Sequence, residues 1–354
     1  MNAKSIPKYL IAHPIATGFV VICAFLPLIV SSPYFIRVLT EVFFFAAMGC
    51  AWNIIGGFGK QTSWASASFL AVGGYTSMLI YMRLDGVWPA WLISPWVTIF
   101  AGMMLSVLLA VIIGLPCFRF RGVFFAIATI ACVTIVRQLL IYFRSFTGGT
   151  LGLALNIRTR DNFLDMAFLN DEPYYYITLA WMLIVVLITV WVERSRLGYY
   201  LKAMSEDQDA AESLGIRSHR MKLKAFIISS VILSATGTLY TFKMAYTDPN
   251  LIASFDISVR IGITAILGGM GTIWGPVLGS LVCIPMLEVS NYYLADFGGG
   301  GAGYALYGLL IVLVVLFRPN GVISLYYGME DRVKAWLAAK RPAPATRNAN
   351  GGEA

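Results

Sequence analysis

The chain has 354 residues, of which 58% are hydrophobic and only 12% are charged, and its mean hydropathy is +0.75. Soluble globular proteins carry about 25% charged residues, and disordered chains combine low hydrophobicity with high net charge, so the composition excludes both classes. The net charge of +8 indicates basic cytoplasmic loops rather than a nucleic-acid-binding surface, because no basic run is interleaved with aromatic residues.

Runs of about 20 apolar residues, the length that crosses the hydrocarbon core of a bilayer, recur along the chain. They predict an all-α, polytopic transmembrane helix bundle of about eight to ten spans. The longer runs are Ile11–Val30, Ile36–Ile55, Thr62–Met82, Ala90–Leu115, Gly122–Phe143, Tyr174–Val192 and Ala225–Tyr246. The shorter runs are Ile257–Gly269, Ile273–Val289 and Gly303–Phe317. The first two short runs form either two spans or a re-entrant hairpin, which is allowed only if protein buries it.

Basic residues are distributed unequally between the loops. With a cytoplasmic N-terminus, 18 Lys and Arg residues fall in cytoplasmic segments and five in external loops, which is the positive-inside pattern. We therefore predict that both termini are cytoplasmic. The predicted organisation is a cytoplasmic N-terminus (1–10), a transmembrane domain (11–325) with an external loop (146–173) and a cytoplasmic loop (193–224), and a largely disordered tail (326–354).

No catalytic or nucleotide-binding motif is present. Residues 56–62 (GGFGKQT) are not a Walker A loop, because Gln follows the Lys and Ile54 occupies the place of the first Gly. The five cysteines lack metal-ligand spacing, and the two histidines are isolated. We expect a transport subunit without a metal or cofactor of its own, driven by an ion gradient or by a partner.

Residues 205–215 (SEDQDAAESLG) predict a short helix in the cytoplasmic loop. Ser205 and Gln208 have the spacing of a capping box, and Gly215 suits the left-handed position that follows a helix. Acidic side chains crowd the predicted first turn, where the helix dipole favours negative charge. These acidic residues are Glu206, Asp207 and Asp209.

This predicted helix has about two turns, which is too short to be stable alone in water. Its flanking spans or a partner must therefore hold it. Ala210 and Ala211 would present a small surface that another protein's backbone could approach closely. An ordinary capped loop helix is the alternative to such a docking element.

The pattern D-A-A-x-x-x-G at 209–215 resembles the EAA loop of ATP-binding cassette (ABC) importer permeases, with Asp209 where Glu is usual. Other segments resemble motifs of LivM-type branched-chain amino-acid permeases in the same order along the chain. These segments are 119–129 (RFRGVFFAIAT), 147–153 (TGGTLGL), 268–279 (GGMGTIWGPVLG) and 318–321 (RPNG). The likeness extends from about Phe43 to Leu325, nearly the whole chain.

The resemblance implies a permease subunit of an ABC importer in the bacterial inner membrane. It implies four kinds of partner or ligand: a second homologous permease that completes a heterodimer, two cytoplasmic ATPase subunits, the ATP and Mg that those subunits bind, and an external solute-binding protein. The implied substrate is a branched-chain amino acid, with other amino acids, urea or short amides as alternatives. A stand-alone secondary transporter or channel is the rival class, and a membrane assembly protein is a third.

The loop at 59–66 keeps two residues of the LivM-type pattern, Gln61 and Ser63. It departs from that pattern at Ala65 and Ser66, where "GH" or "GQ" is usual. If the loop contacts substrate, this departure bears on which substrate is carried.

The glycine-rich segment offers candidates for the translocation path. Gly271, Gly275 and Gly279 recur every four residues, which predicts one face of a helix, and Pro276 would invite a break in it. Such a face serves either close helix packing or the lining of a substrate cavity.

Ionisable residues also fall within or beside predicted spans, in their external halves. They are Glu41, Arg137, Lys243, Arg260 and Glu288. A zwitterionic amino acid would need both signs of charge along its route, so these residues could face a wet cavity. Alternatively, Arg37 and Glu41 pair at i,i+4 and Lys243 reaches the interface. Arg137 and Glu288 lie deepest.

Overall fold

The computed structural model describes residues 14–29, 32–84, 87–155 and 161–298, with isolated positions between 305 and 324. Its helices are α1 (Pro14–Ile29), α2 (Pro33–Gly56), α3 (Ser66–Leu84), α4 (Ala90–Ile93), α5 (Pro95–Cys117), α6 (Val123–Tyr142), α7 (Arg144–Thr147), α8 (Glu172–Glu193), α9 (Arg196–Glu206), α10 (Gln208–Ser213), α11 (Ser218–Met244), α12 (Pro249–Ile252), α13 (Phe255–Gly269) and α14 (Gly275–Gly298). Two strands, β1 (Leu153–Ala154) and β2 (Tyr246–Thr247), form an antiparallel pair. The described residues divide into two units, one with α1 and Ser324 and the other a helical bundle within residues 32–323.

The helices agree with the predicted spans to within a few residues at most ends, which confirms a polytopic all-α bundle. In the described part of the chain, six segments are long and apolar enough to cross a membrane. They are α2, α5, α6, α8, α11 and α12–α13 taken together. The predicted run Gly303–Phe317 lies mostly outside the described residues, and the segments 1–10 and 326–354 lie entirely outside them.

Helix α3 has 19 residues but is more polar than those six segments. It packs against α11 and α5, and most of its first 13 residues are buried. A helix that is enclosed by other helices does not need an apolar surface toward lipid. This position explains why α3 can be more polar than the other spans, although the sequence predicted it as the run Thr62–Met82.

Glycine allows α3 and α11 to touch backbone to backbone. A Cβ on Gly73 would lie 2.0 Å from the carbonyl oxygen of Ser234, and one on Gly237 would lie 2.1 Å from that of Leu70. Small residues at helix contacts are how membrane helices gain van der Waals packing. No motif in the sequence predicted this pair of glycines.

Contacts between loops show that they form two groups, one at each end of the bundle. Residues 57–62, 118–122 and 194–217 meet at one end of the bundle, called here the coupling end. Lys60 pairs with Glu206 there at 2.8 Å. Arg121 pairs with Asp209 at 2.9 Å.

The opposite end is called here the loop end. It contains residues 87–94, 143–155, 161–171 and 245–254. The β1–β2 pair joins two of these segments, and Trp96 donates a hydrogen bond to the carbonyl oxygen of Phe163 at 2.9 Å. The loops thus alternate between ends as the predicted topology requires. The positive-inside rule predicts that the coupling end is the cytoplasmic one.

Helices α13 and α14 pack against each other and are joined at residues 270–274, at the coupling end. The side-chain amide of Asn53, near the end of α2, accepts a hydrogen bond from the Gly271 N–H at 2.9 Å and donates one to the Thr272 carbonyl oxygen at 2.7 Å. The turn therefore reaches the depth at which the 24-residue α2 ends. This depth favours two spans over a shallow re-entrant hairpin.

Candidate coupling and translocation sites

The loop between α8 and α11 contains two helices, α9 and α10, where the sequence predicted one. Helix α9 continues through Glu206, so Ser205 lies inside a helix and its hydroxyl donates to the Lys202 carbonyl oxygen. The predicted Ser205 cap is therefore wrong. Asp207 caps α10 instead, because its extended backbone lets Oδ1 accept from the N–H groups of Asp209 and Ala210, at 2.9 and 3.0 Å.

The end of α10 agrees with the prediction for Gly215. Its φ is +87°, and its N–H donates to the Glu212 carbonyl oxygen at 2.9 Å. The Ile216 N–H donates to the Ala211 carbonyl oxygen at 3.1 Å. These two bonds form a Schellman motif, which satisfies the last carbonyls of the helix.

Gln208 connects α10 to the start of α11. Its amide oxygen accepts from Lys222 Nζ at 2.8 Å, and its amide nitrogen donates to Glu212 at 2.8 Å. Ser218 also donates to Glu212. The bonds from Ser218 and Gln208 lower the pKa of the Glu212 carboxyl, so it is ionised at neutral pH. No local pattern predicts this role of Gln208, because its partners lie up to 14 residues away and one of them is on a different helix.

The Lys60–Glu206 and Arg121–Asp209 ion pairs are more exposed than the Gln208–Lys222 contact. Solvent screens exposed pairs strongly, so these two pairs orient the loop more than they stabilise it. Lys60 lowers the pKa of the Glu206 carboxyl through their hydrogen bond.

Residues of α10 differ in what they present to solvent. Ala210 is exposed, but Ala211 is buried against the protein, which corrects the expectation that both face outward. Leu214, one residue beyond the helix, is 85% exposed. The projecting surface is therefore a small residue beside a large apolar one.

The glycine-rich segment is a turn followed by a helix. Gly271 lies in the turn with φ +74°, and α14 begins at Gly275, so the prediction that Gly271 shares a helix face with Gly275 and Gly279 is wrong. Pro276 stands in the first turn of α14, where a missing N–H costs nothing, so it does not break the helix.

Gly275 and Gly279 both lie very close to backbone atoms of the segment that precedes them. A Cβ on Gly275 would lie 2.3 Å from the Gly269 carbonyl oxygen, and one on Gly279 would lie 1.9 Å from the Thr264 carbonyl oxygen. These close contacts explain why glycine is required at both positions: a larger residue would prevent the helices from packing. Neither glycine is among the residues that line the described cavities.

A cavity of about 300 Å³ lies among α2, α11, α13 and α14, and is called here the mixed-charge cavity. Among the described residues, four charged side chains line it, and they come from helices far apart in sequence. These side chains are Arg37, Glu41, Arg260 and Glu288. A second cavity of about 390 Å³ shares Arg260 and Tyr240 with it and includes residues of β2 and α12. The two together reach from the loop end into the bundle.

Glu41 pairs with Lys243 at 2.6 Å, and the two side chains are only 13% and 4% exposed. The expected i,i+4 pair of Arg37 with Glu41 is thus replaced by a contact between α2 and α11. Lys243 is buried among the helices, one residue before the end of α11.

The remaining predicted residues lie elsewhere. Gln61 lines a cavity of about 460 Å³ at the coupling end, beside Gln208 and Lys222. Ser63 is buried, and its carbonyl oxygen accepts from the Trp52 indole N–H at 2.7 Å. Arg137, on α6, is not among the residues that line the mixed-charge cavity.

Comparison with known proteins decides the class of the chain. The family model described as "Branched-chain amino acid transport system / permease component" matches residues 34–316. The chain belongs to this permease family. It is therefore a transport subunit, not an enzyme, and a multi-pass protein of the bacterial inner membrane.

Curated relatives cover most of the permease. It is 27% identical to the high-affinity branched-chain amino acid transport system permease protein LivM of Escherichia coli K12, over 92% of this chain and 80% of the relative. The LivM protein of Salmonella typhimurium LT2 is 28% identical over 82% of this chain and 70% of its own length. The LivH permease protein of the same Salmonella strain is 22% identical, over 79% and 91%. No solved structure matches the permease significantly.

Proposed function

We propose that the permease imports branched-chain amino acids as one subunit of an ABC transporter, and that α10 is its coupling helix. The observation that carries this proposal is the construction of α10. The helix is capped at both ends and tied by Gln208 to Lys222 of α11, while Ala210 and Leu214 project into solvent. A short, rigidly held helix with an exposed apolar tip suits a groove on another protein.

The proposed partners are two cytoplasmic ATPase subunits, a sister permease and an external solute-binding protein. Both LivM and LivH proteins are similar to this chain, which supports pairing of two homologous permeases. ATP and Mg bind to the ATPase subunits in this proposal. Closure of the ATPases displaces α10 and shifts the permease between two states, which requires that α10 make different contacts in each state.

Reconstitution tests the proposed class directly. Liposomes that contain this chain alone should not accumulate leucine under a proton or sodium gradient. Addition of the sister permease, the ATPases, the binding protein and ATP should start uptake. Gradient-driven accumulation by the chain alone would establish the secondary-transporter alternative.

Gly215→Val should reduce ATP-driven uptake while leaving membrane insertion intact. The backbone at this position has φ +87°, a conformation that costs a β-branched residue about 1–2 kcal/mol, although no atom lies within 4 Å of an added Cβ. Gly215→Asn is the matched control, because Asn tolerates this conformation. Equal uptake by the Val and Asn variants would argue against a coupling role for the end of α10.

Leu214→Asp should weaken co-purification of the ATPase subunits by at least about tenfold, because it places a charge where an apolar contact is proposed. Leu151, which is 71% exposed at the loop end, provides a matched control as Leu151→Asp. That variant should retain the ATPases. If both variants retain them equally, Leu214 is not part of the docking surface.

A further inference from the structure

Glu288 is the carboxylate of the mixed-charge cavity whose charge is not matched locally. In the described part of the chain no Lys or Arg nitrogen lies within 4.0 Å of it, whereas Glu41 is already held by Lys243. The charges of Arg260, Arg37 and Lys243 act on Glu288 from a greater distance. Acidic residues inside membrane helices are costly, and they mark substrate pathways more often than packing sites.

Arg260 occupies a central position. It lines both the mixed-charge cavity and the adjoining cavity that reaches the loop end. A ligand that moves inward from the loop end would therefore meet its guanidinium group on the way to Glu288. Guanidinium groups bind carboxylates through paired hydrogen bonds.

The rest of the lining is suited to an aliphatic side chain. Apolar residues from two helices complete the wall near the charged groups: Val38 of α2, and Ile284 and Leu287 of α14. The volume of about 300 Å³ is at the lower end of the range for small-molecule pockets, about 300–1,000 Å³.

We propose that the mixed-charge cavity is an intramembrane binding site for a zwitterionic amino acid with an aliphatic side chain. Arg260 donates hydrogen bonds to the α-carboxylate, and Glu288 accepts them from the α-ammonium group. This inference rests on the proposed import function and names its substrate class at one site. A neutral amide such as urea would leave Glu288 without a cation, so the site discriminates against the amide alternatives.

The test is binding of radiolabelled L-leucine to the nucleotide-free complex of this chain with its native partner subunits in lipid nanodiscs, without the solute-binding protein. Unlabelled leucine, 4-methylpentanoate and urea are the competitors. Glu288→Gln removes the charge at nearly constant shape, and Arg260→Gln removes the other charge. Glu172→Gln, at the exposed start of α8, is the matched control. Co-purification of the ATPase subunits shows that each variant is assembled.

The wild-type complex should bind leucine, and neither 4-methylpentanoate nor urea should displace the bound leucine. Glu288→Gln and Arg260→Gln should each weaken leucine binding at least about tenfold, equivalent to about 1.4 kcal/mol. Glu288→Gln should also improve competition by 4-methylpentanoate, because the carboxylate that repels this anion is gone. If Arg260→Gln fails to assemble, the Glu288→Gln result decides.

Two results would overturn the inference. One is unchanged leucine affinity in assembled Glu288→Gln protein, and the other is a wild-type complex that does not bind leucine at any concentration. ATP-driven uptake by that same complex would then show that the proposed function stands without this site. Failure of the ATPases to associate at all would count against the proposed function, while leucine binding would still be measurable.

Discussion

Replacing Lys243 with Met is expected to lower the free energy of unfolding by about 3–5 kcal/mol, because it leaves Glu41 as an uncompensated charge in a buried site. The two side chains form a 2.6 Å ion pair that is almost inaccessible to solvent. Chemical or thermal unfolding of the purified permease in detergent micelles measures the change. The double variant Glu41→Met, Lys243→Met should recover most of the loss, because an apolar pair replaces the buried charges.

The exposed pair of Lys202 and Glu193 is the matched control. Its atoms are 2.8 Å apart, but the side chains are 50% and 23% exposed. Lys202→Met should cost at most about 1 kcal/mol. If Lys243→Met is no more destabilising than Lys202→Met, the Glu41–Lys243 pair does not hold α2 to α11.

Gly279→Ala should destabilise the permease by about 3 kcal/mol, the upper end of the usual range for overpacked cores. The added Cβ would lie 1.9 Å from the Thr264 carbonyl oxygen and 2.9 Å from the Gly268 amide nitrogen, so backbone atoms of α13 would have to move. The expected result is loss of the monodisperse peak in size-exclusion chromatography after detergent extraction.

Gly18→Ala is the control, because α1 offers open space around Gly18 and Ala is the better helix former. This variant should be neutral or slightly stabilising. A Gly279→Ala protein with the yield and unfolding temperature of Gly18→Ala would show that α13 and α14 are not packed through this glycine.

The spans could be predicted from the sequence because membrane crossing depends on a local quantity, the apolar content of about 20 consecutive residues. Helix ends were predicted within two residues at α6 and α8, but α11 begins seven residues before the predicted Ala225 because the helix continues through the basic segment 218–224. Helix α3 was also predicted as a span, but its packing against α11 was not. Its place in the core depends on glycines of α3 and α11, more than 150 residues apart, and no local pattern reports that contact.

The candidate sites were predicted less completely. The acidic, alanine-containing segment identified α10 and its terminal Gly215, but the capping role went to Asp207 because α9 extends further than the sequence indicated. Glu41, Arg260 and Glu288 were named as candidates for a wet cavity, but the sequence could not show that these three line the same one. The Glu41–Lys243 contact joins residues 202 positions apart, and only the folded chain brings them together.

The anchoring of α11 at both of its ends has a mechanical consequence. Lys222 is bound to Gln208 near one end, and Lys243 is bound to Glu41 near the other, about 32 Å away along the axis. A helix of this length resists bending, so a displacement at its base would tilt the whole helix. A tilt of a few degrees would shift the opposite tip by more than an ångström, which is enough to lengthen or shorten a salt bridge there.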